Sequence, residues 1–244
     1  MLNYCYSNIF NMKKKNLLII IPARSGSKGL KNKNILKLNS KPLISYSISI
    51  AKKIKEKSKV IFCSTDSKKI KNIVERHKID VPFLRPKKIS KDLSTDITFV
   101  NHTLKEFSKK KIFFNIGLIL RPTSPFRNIK NIEKGYSIFK KKNASSMRAI
   151  CYAPATPYKM WKLKNGIIKP ILKTNFFEQY NLPRQKLPQI YWQCGNFEYF
   201  RIKYKSKIKS VSGNRIMGYV VKGKETIDID TIEDLKKAIK ILKK

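Results

Sequence analysis

Acidic side chains are scarce in this 244-residue chain. Fifteen Asp and Glu stand against 55 Lys and Arg, a formal net charge of +40. The excess is spread along the whole length, whereas nucleic-acid proteins concentrate charge in a patch or tail. It is mostly Lys, accompanied by much Ile and Asn, all residues with A/T-rich codons, so genome composition accounts for it and no obligate nucleic-acid partner is expected. Histidine is scarcer still: His77 and His102 are the only two. The four cysteines, Cys5, Cys63, Cys151 and Cys194, form no C-x-x-C pair. That excludes a recognisable zinc pattern and leaves Cys63 and Cys151 as small buried hydrophobes. No apolar run approaches the roughly 18 residues needed to cross a bilayer. The run Leu17 to Ile21 behind Lys13–Lys15 is also too short for a signal-peptide core. A cytoplasmic protein with no membrane partner is the expectation.

Enough apolar material remains for a core, with 41% hydrophobic residues, 13 Phe and 11 Tyr. The length suits one large domain. Residues 1–14 lack periodicity and read as a disordered extension, with Met12 a plausible start. From residue 15 to about 150, strand and helix patterns alternate. Strands are expected at Leu17–Ile21, Val60–Cys63, Val81–Leu84, Ile116–Leu120 and Ser146–Cys151. Helices are expected over Pro42–Ile54, after Asp66, and over Thr95–Phe107 and Ile129–Phe139. This alternation predicts an α/β, Rossmann-like fold with a mostly parallel sheet flanked by helices. Residues 152–200 break the rhythm with five prolines and dense aromatics, and read as an inserted segment. The chain returns with a strand near Tyr219–Val221 and a final helix behind Thr231-Ile232-Glu233-Asp234, a capping-box pattern.

In such sheets ligands sit at the carboxyl ends of strands. The loop after Leu17–Ile21 reads Pro22-Ala23-Arg24-Ser25-Gly26-Ser27-Lys28-Gly29-Leu30-Lys31-Asn32-Lys33-Asn34. Small residues let backbone N–H groups approach an anion, and the cations neutralise it. The alternative is a basic surface loop. Neither G-x-x-x-x-G-K-[ST] nor G-x-G-x-x-G is present. Near the other end, Asp228 and Asp230 lie two apart, on one side of an extended segment. Together they would suit a divalent cation; alternatively, Asp230 simply caps the last helix. Asp66 has the same double reading, as a substrate contact or as a helix N-cap.

The loop resembles the signature of the acylneuraminate cytidylyltransferases, the CMP-sialic acid synthetases and their relatives. Ser64-Thr65-Asp66, Leu84-Arg85-Pro86, Arg121-Pro122-Thr123-Ser124-Pro125-Phe126-Arg127, Pro183-Arg184-Gln185 and Asp228-Ile229-Asp230-Thr231 follow in family order. The resemblance covers residues 15–244. It implies transfer of CMP from CTP to a nonulosonic acid for surface glycan synthesis, with release of pyrophosphate. It implies Mg²⁺ or Mn²⁺ on Asp228 and Asp230, and catalytic roles for Lys33, Arg24 and Asp230. Substrate contacts would come from Ala23, Ser25, Lys28, Asn34, Arg85, Asp96, Arg121 and Arg184, with Arg184 facing the sugar. It further implies a homodimer whose 152–200 segment reaches the partner's site. Arg121 departs from the glutamine usual at a sugar-touching position, and Asp96 and Cys194 also depart from small polar or amide residues. Arg121 either reads an extra acceptor on the sugar or pairs with Asp96. The related CMP-Kdo synthetases are a weaker match, because their R-L-P-G-K loop pattern is missing.

Overall fold

The computed structural model describes residues 13–26, 29–204 and 208–243. The expected extension at 1–14 falls almost wholly outside them, as does Lys28. Ten strands and five helices follow in the order β1 (Lys13–Pro22), β2 (Lys37–Leu38), β3 (Lys41–Pro42), α1 (Leu43–Lys53), β4 (Lys59–Ser64), α2 (Lys68–Arg76), α3 (Asp96–Lys109), β5 (Ile112–Ile119), α4 (Ile129–Lys141), β6 (Ser146–Tyr152), β7 (Trp161–Lys164), β8 (Ile167–Pro170), β9 (Tyr191–Arg201), β10 (Ile216–Val220) and α5 (Ile232–Leu242).

Six strands form the main sheet in the order β10-β6-β9-β5-β1-β4. β1 runs parallel to both β4 and β5, and β10 runs parallel to β6. β9 runs antiparallel to its neighbours β5 and β6. Leu17 to Ile21 are fully buried between parallel neighbours, which explains their unbroken apolar run. The predicted mostly parallel, helix-flanked sheet is what the chain forms.

Two predicted elements differ. Val81–Leu84 is not a strand, although Val81 is fully buried. The segment has no strand partner, and the chain is instead tied by Arg85 N–H donating to Thr65 O at 2.7 Å. The irregular run expected over 152–200 ends at residue 190. Tyr191–Arg201 is the longest strand of the sheet, with Phe197 and Tyr199 fully buried. Between β6 and β9 the chain makes the hairpin β7–β8, a two-stranded sheet of its own.

A second, smaller apolar cluster gathers Leu38, Leu43, Phe126, Ile229 and Ala238. It docks α5 and the segment before it onto the main body. Thr231 is the N-cap of α5 in a reciprocal capping box with Asp234, so Asp230 does not cap this helix.

Candidate active site

Parallel β1, β4 and β5 end on one side of the sheet, and the loops that leave them meet there. They border a cleft of about 420 Å³ whose lining includes Arg24, Gly29, Lys33, Asn34, Arg85, Asp96, Arg121, Asp228 and Asp230. The sequence scattered these residues over two hundred positions, and the sheet gathers them.

The loop after β1 is fastened at both ends. Ala23 is buried and continues the ladder, its N–H donating to Ser64 O at 3.0 Å. It supports the loop without lining the cleft. Ser25 donates twice to Asp66, from N to Oδ1 at 2.8 Å and from Oγ to Oδ2 at 2.7 Å. Asp66 therefore ties down the loop, while Ser67 caps α2. At the far end the Asn34 side-chain amide donates to Arg24 O at 2.9 Å. Gly29 passes so close to the Asp230 segment that a Cβ there would lie 2.9 Å from Asp230 O. Only glycine fits that approach.

Two cations of the loop are held by carboxylates. Lys33 Nζ lies 2.6 Å from Asp230 Oδ1, and Arg24 Nη1 lies 2.7 Å from Asp92 Oδ1. Ile229 is fully buried in the smaller cluster, so the carboxylates on either side of it face the cleft. Asp228 accepts from Ser124 Oγ at 3.3 Å. Burial pushes its carboxyl up, hydrogen bonds from Thr123 and Ser124 and the charge of Lys33 pull it down, and the charge of Asp230 adds to the rise. Gly195, at φ 67°, lets β9 pass with its Cβ position 3.1 Å from Asp228 Oδ2. Among the described residues no group of three or more His, Cys, Asp and Glu is set to hold a metal. Magnesium sites in nucleotide enzymes commonly use one or two carboxylates and fill the remaining positions with phosphates and water. Two facing carboxylates, one of them raised by burial and by its neighbour, fit such an ion.

The other flank of the cleft is a chain of charges. Arg121 meets Asp96 with both terminal nitrogens, at 3.2 and 2.5 Å, and reaches Glu198 Oε1 at 2.9 Å. Glu198 in turn accepts from Arg148 at 2.5 Å, its cross-strand neighbour. Burial alone would lower the Arg121 pKa, but Glu198 and Asp96 more than compensate and raise it. Of the two expectations for Arg121, pairing with Asp96 is the one realised. Arg85 is buried, with Nε donating to Ser64 Oγ at 3.0 Å and Nη2 to Ser64 O at 2.6 Å. Its guanidinium lies 4.8 Å over the Phe99 ring, and burial lowers its pKa to about 10.

Arg184 does not line this cleft. It donates to Ala153 O at 2.6 Å and borders a separate hollow of about 290 Å³ with Tyr152, Leu187 and Ile190. Sequence reasoning missed Glu198 and Arg148, although each is a charge within an otherwise apolar strand pattern. It also gave no role to Arg127, the end of its own motif. Arg127 donates to Asn196 O, Ser47 Oγ and Arg121 O, at 2.5, 3.0 and 2.6 Å.

Residues 18–166 match the family described as cytidylyltransferase. The chain is 41% identical over 128 residues to the CMP-N,N'-diacetyllegionaminic acid synthase of Legionella pneumophila, covering 51% of this chain and 53% of that protein. It is 37% identical over 126 residues to the N-acylneuraminate cytidylyltransferase of Escherichia coli O18:K1:H7, covering 52% of this chain and 29% of that one. The chain thus spans about half of the first relative and under a third of the second. In fold it is similar to a CMP:2-keto-3-deoxy-manno-octonic acid synthetase solved with CTP. The TM-score is 0.63 at 14% identity, over 93% of this chain and 98% of that one.

Proposed function

The chain belongs to the cytidylyltransferase family, and from that membership we propose that it transfers CMP from CTP to the anomeric hydroxyl of a nonulosonic, sialic-type acid. Pyrophosphate leaves, and the CMP-sugar serves surface glycan synthesis in the cytoplasm. The observation that carries this reading is the meeting of the basic loop with the Asp228–Asp230 pair in one cleft. It is supported by the names of both relatives, one a CMP-N,N'-diacetyllegionaminic acid synthase and the other an N-acylneuraminate cytidylyltransferase.

The work of such a site is positioning and charge neutralisation. Lys33 and Arg24 exchange their carboxylate partners for phosphate oxygens. Lys33 then meets the charge that grows on the departing pyrophosphate, so its contribution is greatest in the transition state. Asn34 and Ser25 fasten the loop at its two ends. Asp228 and Asp230 would hold Mg²⁺ or Mn²⁺, which supplies neutralisation at the α-phosphate and makes a nearby hydroxyl more acidic. Two copies of the chain would pair through the 152–200 region, where Leu163, Ile167 and Phe177 are exposed.

The test is incubation with CTP, Mg²⁺ and a panel of nonulosonic acids, with mass identification of the product. A CMP-sugar and stoichiometric pyrophosphate are expected. Equal use of UTP or ATP, or no product with any acid of the panel, would remove the reading.

A further inference from the structure

The Arg121–Asp96 pair changes what that flank of the cleft offers a ligand. A guanidinium already spent on two carboxylates gives little to the carboxylate of a sugar acid. The four charges of Arg148, Glu198, Arg121 and Asp96 cancel. What remains is the unused acceptor capacity of Asp96. A carboxylate has about four lone-pair sites, and Arg121 takes one from each oxygen. The Asp96 side chain keeps 31% of its exposure and lines the cleft.

Beside it stands a donor. Arg85 uses Nε and Nη2 on Ser64, and its Nη1 makes no hydrogen bond among the described residues. The Arg85 guanidinium lies over the Phe99 ring, and both residues line the same cleft. Burial lowers the Arg85 pKa, and Asp96 is among the anionic groups that raise it, after Asp66. One wall therefore carries an anionic acceptor and a cationic donor. Cytosine carries the complementary edge: an exocyclic amino group that donates, with ring N3 and O2 that accept. Carboxylates are the side chains that accept from that amino group. Uracil replaces the amino donor with a carbonyl oxygen, which a carboxylate repels and leaves unpaired.

Resting on the transferase reading above, we propose that Asp96 is the residue of this chain that selects cytosine over uracil, accepting from the base amino group. Arg121 is its positioning residue, clamped in turn by Glu198 and Arg148. Arg85 donates to the base from the same wall.

Binding of CTP and of UTP, measured separately by calorimetry with no sugar acid present, tests this on the intact chain. The wild type is expected to prefer CTP by on the order of 10- to 100-fold, about the worth of one hydrogen bond to a charged group. Asp96→Asn can turn either its amide oxygen or its NH₂ to the base, so the preference should fall to within about threefold, through weaker CTP and stronger UTP binding. Asp96→Ser gives the same comparison should the Asn variant misfold. Arg121→Gln frees Asp96 from its clamp and should also narrow the CTP/UTP ratio, which a purely structural role would leave unmoved. An Asp96 variant that keeps the wild-type ratio, or loses both nucleotides equally, overturns the inference. A wild type that binds CTP and UTP equally overturns it too. A wild type that binds neither nucleotide removes the transferase reading along with it.

Discussion

In β1, Leu17 to Ile21 have no exposed surface, whereas in the β7–β8 hairpin Leu163 is 72% exposed and Ile167 66%. Both stretches are strand-forming, and both carry branched apolar side chains. They differ in what lies against them. β1 is flanked by β4 and β5, while β7 and β8 pair only with each other. An isolated two-stranded ribbon is marginal in water without a surface to pack on. The cleft thus stands on elements that complete one another within the chain, and the 153–190 arm on elements that leave apolar surface uncovered. The cleft lies where the fold is self-sufficient.

The sharpest test of that contrast is to remove cleft groups that contribute little to the fold. Asp228→Ala should lower kcat by at least about a thousandfold, and Lys33→Ala by about a hundredfold, mainly in kcat rather than KM. Melting temperatures should stay within a few degrees of wild type. A collapse of thermal stability in either variant would show that the cleft carries the fold as well. The next test moves to the arm. Leu163→Asp combined with Ile167→Asp should convert the proposed homodimer to a monomer in light scattering, with the unfolding midpoint of the core little changed. An unchanged particle mass would break the comparison. Arg127 lies between the two cases, since its three acceptors belong to the scaffold under the cleft. Arg127→Ala should cost about 3 kcal/mol by removing three hydrogen bonds from a buried guanidinium, or roughly 6–12 °C in Tm. Chemical denaturation reads this, and a loss below about 1 kcal/mol would count against a scaffold role. The smallest effect belongs to Ser25→Ala. Losing one bond to Asp66 should raise the KM for CTP about fivefold, as for one hydrogen bond. The kcat should stay nearly unchanged. An equal fall in kcat would mean that Ser25 acts in the transition state.

The sequence disclosed what is periodic and local. β1, α3, α4 and the capping box of α5 were legible because each has its pattern within a dozen residues. Val81–Leu84 misled because apolar runs report burial, and burial does not require a strand partner. β9 was hidden behind prolines that belong to the arm before it. Its first residues, Tyr191 and Trp192, are exposed aromatics, and its buried half holds the polar Asn196 and Glu198, so the apolar pattern does not report its burial. The hairpin did have a signal: Asn165-Gly166, with φ of 49° and 77°, is the turn dipeptide of two-residue hairpins. At the site, motif order found the residues but not their duties. Asp66 and Asn34 fasten the loop, and Arg184 lies elsewhere. The partners that occupy Arg121 come from α3 and β9, 25 and 77 positions away. Only the sheet brings them together.

The pinning of the basic loop has one more consequence. Ser25 is tied to Asp66 at one end, and Asn34 is tied back to Arg24 at the other. Bringing distant points of a chain together costs entropy that grows with the logarithm of their separation. Here that cost is met once, when the domain folds, and is not deducted again each time a ligand arrives. A ligand that meets these two anchored ends finds them already in place, so tight binding needs fewer contacts.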